Sequence, residues 1–138
     1  MNLAKVLEDL GELEAEIEPR QSAVLWYDLK DAMNVEIRKY RFPEGWTNGN
    51  EGRRGTVRID LPETYPRTIP EVYVPASLQY EGERPHVMYH PIRYGPDGWS
   101  RYCIHDVDWD GSEHDLAKIF QIIEISLADP KSKNPLLE

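Results

Sequence analysis

The chain has 138 residues, of which 40% are apolar and 30% charged. That is enough to bury a core in one soluble domain without disulfide or metal, and it excludes wholesale disorder. The net charge of −9 excludes a nucleic-acid scaffold, because phosphate binding needs a basic stripe.

Leu3, Val6, Leu7, Leu10, Leu13 and Ile17 recur at three- and four-residue steps and predict one face of an amphipathic helix. Glutamates fill much of the remainder, and Pro19 stops the helix. The opening Met1-Asn2-Leu3-Ala4-Lys5 leads into this charged helix rather than into a signal-peptide core. No apolar run reaches the roughly 18 residues of a membrane span, so a cytoplasmic protein is expected. A single cysteine leaves no internal disulfide and suits a reducing compartment.

From Ser22 the pattern changes to strands. Residues 23–27 form a short apolar run, and Val35 and Ile37 alternate with Glu36 and Arg38. Pro43-Glu44-Gly45 and Asn48-Gly49-Asn50 are turn chemistry. Val57, Ile59 and Leu61 then alternate with polar neighbours, and residues 71–74 give another strand. Four short strands joined by turns predict an antiparallel meander. The dense basic residues here, Arg38, Lys39, Arg41 and then Arg53-Arg54, lie close to acids in sequence. They read as a solvated strand-and-loop surface, and such a patch can meet an acidic partner locally.

Residues 75–111 lack periodicity but hold Tyr80, Tyr89, Tyr94, Trp99, Tyr102 and Trp109, which predicts a long, ordered, functional loop. Ser112 to Asp115 reads as a capping box with Ser112 as N-cap. Leu116, Ile119, Phe120, Ile123 and Leu127 share one face of a second helix, which Asp129-Pro130 ends. The fold class expected is α+β in a single domain over 1–138.

The order helix, four-strand meander, long loop with one cysteine, and helix resembles the ubiquitin-conjugating family. Residues 61–70, Leu-Pro-Glu-Thr-Tyr-Pro-Arg-Thr-Ile-Pro, are similar to its strand-ending segment, and His90-Pro91 to the start of its His-Pro-Asn motif. Gly98-Trp99-Ser100-Arg101-Tyr102-Cys103-Ile104 resembles its active-site string, with Trp109 where the family has a tryptophan. Residues 128–136 resemble the Asp-Pro…Pro-Leu segment after its second helix. Four features depart from that pattern. Ile92 replaces the motif asparagine, Asn134 replaces an acid, the His90–Cys103 stretch is longer, and the sequence lacks the family's two C-terminal helices. Short forms of this kind look like prokaryotic members.

The resemblance implies that Cys103 receives a ubiquitin-like protein as a thioester from an activating enzyme and passes it to a target lysine. Thiolates suit this exchange as both nucleophile and leaving group. Transfer to an amine needs deprotonation and an oxyanion donor, which Ile92 cannot supply. His105, two residues past Cys103, is the candidate base or donor, and the alternative is a surface histidine among Asp106, Asp108 and Asp110. Asn134 is the candidate for orienting the lysine, or else a turn residue before Pro135; Tyr102 and Asp106 are further candidates. No cofactor is expected. A zinc site of His86, His90, Cys103 and His105 is disfavoured because the histidines lie in Pro-rich, non-helical sequence. Arg67 after Tyr65-Pro66, and Asp110-Gly111-Ser112 after Trp109, do not support a RING-type ligase partner. The rival reading is a non-catalytic, RWD-like binding module.

Overall fold

A computed structural model describes residues 1–19, 23–85, 87–89, 98–103 and 108–130. Helix α1 (Leu3–Ile17) starts at Asn2, whose side chain accepts from the Lys5 N–H at 3.2 Å, and stops before Pro19. Val6, Leu10, Leu13 and Ile17 are buried as the periodicity predicts, but Leu3 and Leu7 are 50% and 54% exposed. The buried stripe is rotated toward Asp9, which is fully buried because Lys5 and Tyr65 both bind its carboxylate. Helix α2 (Leu116–Ala128) buries all five predicted apolar positions. Its N-cap is Asp115, accepting from Lys118 N–H at 3.0 Å, and not Ser112. Ser112 instead donates through both its N–H and its hydroxyl to Asp110, closing a separate turn ahead of the helix.

The four predicted strands occur in the predicted order: β1 (Val24–Asp28), β2 (Asn34–Arg41), β4 (Arg54–Asp60) and β5 (Glu71–Pro75). They pair antiparallel in sequence and belong to a larger sheet that β8 (Trp99–Tyr102) and β7 (Met88–Tyr89) complete, in the order β1-β2-β4-β5-β8-β7. The expectation of one long loop over 75–111 is corrected by three strands within it: β6 (Leu78–Tyr80), β7 (Met88–Tyr89) and β8 (Trp99–Tyr102). Strand β8 escaped the hydropathy pattern because its buried members, Ser100 and Tyr102, carry hydroxyls while half-buried Trp99 faces outward.

A short ribbon of β3 (Trp46–Asn48) with β6 closes one end. Trp46 packs at a tilt against Phe42 and Tyr80 and donates its indole N–H to the Leu127 carbonyl at 2.9 Å. That bond satisfies a carbonyl in the last turn of α2 that has no partner within the helix.

The core lies between the helices and one face of the sheet, where Val35, Ile37, Val57, Ile59, Val72 and Val74 are wholly buried. The opposite face is polar. Along one cross-strand row the register places Trp26, Glu36, Arg58, Tyr73 and Arg101 side by side. Arg58 binds Asp60 at 2.7 Å and Arg101 approaches Glu71 at 3.5 Å. No helix among the described residues is long and apolar enough to cross a membrane.

Candidate active site

Cys103 follows directly on β8, and its N–H donates to the Val87 carbonyl at 2.7 Å, which prolongs the strand's pairing by one residue. Alternation along β8 sends Ser100 and Tyr102 into the core and turns Trp99, Arg101 and Cys103 to the other face. Cys103 is half-buried. Tyr102 does not join it. Its side chain is 1% exposed and its hydroxyl shares a 2.8 Å hydrogen bond with Ser126 of α2, so the suggestion that Tyr102 assists catalysis is corrected. Burial holds that hydroxyl well above the ordinary tyrosine pKa, which removes it from acid–base work near neutrality.

A recess of about 210 Å³ opens beside Cys103, with residues 68–72 along one side and Arg101 along the other. It is smaller than the roughly 300–1,000 Å³ of small-molecule pockets. Glu71 and Arg101 form its charged rim. Tyr73, next to Glu71 on the same strand face, donates to the Glu71 carboxylate at 2.8 Å. Burial, reinforced by that carboxylate, pushes the Tyr73 hydroxyl up to about 12. Glu71 and Tyr73 had no signal in the sequence, since they reach Cys103 through the β5–β8 pairing across some thirty residues of chain.

The segment preceding the recess is held from both sides. Tyr65, joined to Pro66 by a cis peptide bond, donates to Asp9 of α1 at 2.6 Å. Trp109 donates its indole N–H to the Pro66 carbonyl at 2.7 Å. Gly111 packs so closely on Pro66 that any Cβ would collide with the Pro66 carbonyl. Tyr65, Pro66 and Trp109 therefore hold the chain before and after Cys103 against each other.

His105 and Asn134 lie outside the described residues, as do His86, His90, Ile92 and Asp106. Among the described residues Asp9, Glu12 and Asp115 bring carboxylate oxygens within 4.8 Å of one another. Asp9 already binds Lys5 and Tyr65, and Asp115 caps α2, so two members of the group are spent on the fold. Comparison of the chain with protein-family models, with curated proteins and with solved structures finds no match.

Proposed function

We propose that the chain is a ubiquitin-like-protein conjugating enzyme of the ubiquitin-conjugating fold, carrying its modifier as a thioester on Cys103. The observation that carries this reading is the half-buried cysteine at the end of β8, opening on a narrow recess walled by residues 68–72. Residues 68–70 and 101–103, which belong to family-like strings distant in sequence, meet at that recess.

In the first step the Cys103 sulfur attacks the thioester carbonyl that joins the modifier to a cysteine of the activating enzyme. A C–S bond to Cys103 forms, the C–S bond to the activating enzyme breaks, and the departing sulfur takes up the proton that Cys103 releases. The bonds exchanged are alike, so the enzyme has mainly to position the tail and ionise the thiol. In the second step a lysine amine of the target attacks the same carbonyl, a C–N bond forms, and Cys103 leaves as the thiolate. His105 serves as the base or oxyanion donor in place of the asparagine that Ile92 replaces, and Asn134 orients the amine.

Charging tests the reading. The protein is incubated with ATP, the activating enzyme and the ubiquitin-like protein, and gels are run with and without reductant. A reductant-sensitive adduct that disappears in Cys103→Ala is expected. Its absence, with activation of the modifier confirmed, would leave the non-catalytic binding module as the better reading. Discharge of the adduct onto free lysine should slow in His105→Ala while charging persists; equal discharge rates would remove His105 from the mechanism.

A further inference from the structure

The proposed chemistry does not use the basic residues Lys39, Arg41, Arg53 and Arg54. These four gather at the end of the β2–β4 ladder, whose last pair is Arg41–Arg54, and none pairs with a carboxylate among the described residues. Arg53 and Arg54 are held by backbone carbonyls instead, those of Phe42 at 3.0 Å and Lys39 at 3.3 Å. In a chain of net charge −9 this end of the molecule is locally cationic.

A groove of about 610 Å³ opens here, with Lys39 and Arg54 on its walls beside the rings of Pro75 and Trp99. It exists because the β4–β5 ladder stops at Arg58–Tyr73. Ala76 donates its N–H toward β8, to Gly98, so by alternation Pro75 turns its ring nitrogen toward β4, where no N–H is available for the next rung. A second recess continues it past Arg41 and Arg53. Four cations line the two against one carboxylate, Glu51.

Lys39 adds an independent sign. It sits in a β-bulge, where the register shifts between Ile37 and Tyr40, with φ of +59°. A left-handed lysine costs about 1 kcal/mol or more relative to the glycine that such a bulge favours. Strain of this kind gathers at binding sites, and here it sets an exposed ammonium on the groove wall.

We propose that this groove docks a short acidic segment of a partner protein. Its carboxylates would pair with Lys39, Arg41, Arg53 and Arg54, and an intervening apolar side chain would lie against Trp99 and Pro75. Nucleic acid fits less well, because a long polyanion would meet the repulsion of the remaining acidic surface. The groove lies four residues along β8 from Cys103, roughly 13 Å of strand, so this docking stands apart from thioester chemistry.

The probe is a fluorescein-labelled peptide of glutamates flanking one leucine, titrated by anisotropy at low and at physiological salt. Saturable, salt-sensitive binding is expected, weakened roughly tenfold by Lys39→Glu with Arg41→Glu. Lys30→Glu, an equally exposed lysine at the β1–β2 turn, should leave it unchanged. Lys39→Gly should raise the melting temperature while weakening the peptide, since it relieves the backbone and removes the charge. NMR shifts on titration should centre on the Trp99 indole. Absence of saturable binding, equal loss in Lys30→Glu, undiminished binding in Lys39→Gly, or equally tight binding of a thymidine oligonucleotide of the same charge would each overturn the proposal.

Discussion

The Tyr65 hydroxyl donates to the carboxylate of Asp9 at 2.6 Å, across 56 residues of sequence, and both side chains are buried. Lys5 takes the other carboxylate oxygen at 2.8 Å, so a fully buried charge is satisfied from two sides. This contact ties α1 to the turn that leads into the Cys103 recess.

Tyr65→Phe keeps the ring and removes the donor. It is expected to destabilise the protein by about 1.5–3 kcal/mol, the range for a hydrogen bond to a charged group. Asp9→Ala should cost at least as much, because it strands both Lys5 and the tyrosine hydroxyl. Urea unfolding with an unchanged slope would measure both; a Tyr65→Phe loss below about 0.5 kcal/mol would refute the buried contact.

Three buried tyrosines predict alkaline instability. Burial raises the hydroxyl pKa of Tyr65, Tyr73 and Tyr102, with Asp9 and Glu71 reinforcing it at the first two. In the unfolded chain they ionise near ~10. The stability they contribute is complete below that value and drains away as pH rises, up to about 12 for Tyr73. Each can cost up to ~1.4 kcal/mol per pH unit in that window. Stability measured from pH 9 to 11 should fall, and fall less steeply in Tyr102→Phe than in the wild type.

Glu12 predicts the opposite behaviour in acid. A hydrogen bond to Asp115 and the nearby charges raise its pKa, so the folded protein holds that proton more tightly than the unfolded chain. This stabilising contribution is complete below the unfolded carboxylate pKa and is lost as pH rises through the folded value. At neutral pH two carboxylates face each other between α1 and the α2 N-cap. Glu12→Gln should therefore raise the melting temperature at pH 7, and the gain should shrink toward pH 4. A gain that is constant with pH would exclude the hydrogen bond to Asp115 as its cause.

The clamp on Pro66 should control both stability and charging. Trp109→Phe removes the indole donor and is expected to cost about 1 kcal/mol. Gly111→Ala drives a methyl into the Pro66 carbonyl and should cost more, about 1–3 kcal/mol. If Cys103 is charged as proposed, both variants should charge more slowly at temperatures where they remain folded. Thermal unfolding and single-turnover charging together separate the two effects, and unaltered charging in both variants would show that the clamp does not position Cys103.

Much of the architecture was legible in the chain itself. The three-and-four spacing of Val6, Leu10, Leu13 and Ile17, and of Leu116, Ile119, Phe120, Ile123 and Leu127, reports a face that must be buried, and these residues form the core. The alternation around Val35, Ile37, Val57 and Ile59 likewise determined two strands and their inward faces, and the short runs at 23–27 and 71–74 added the two that flank them. Such patterns are local, because each element carries its own record of which side meets water.

Tertiary structure decided what depends on pairs distant in sequence. Leu3 and Leu7 have the spacing of core residues, yet Asp9 takes the buried margin of α1 because Tyr65 and Lys5 neutralise the cost of its charge. Strand β8 is a strand because β5 offers it an edge, and its buried hydroxyls hide it from hydropathy. That pairing brings Glu71 to the rim beside Arg101 and Cys103, while Tyr102 turns away to Ser126. The single cysteine could be named from the sequence; the recess beside it could not, because its wall of residues 68–72 lies 31 or more residues away along the chain and meets Cys103 only when the sheet closes.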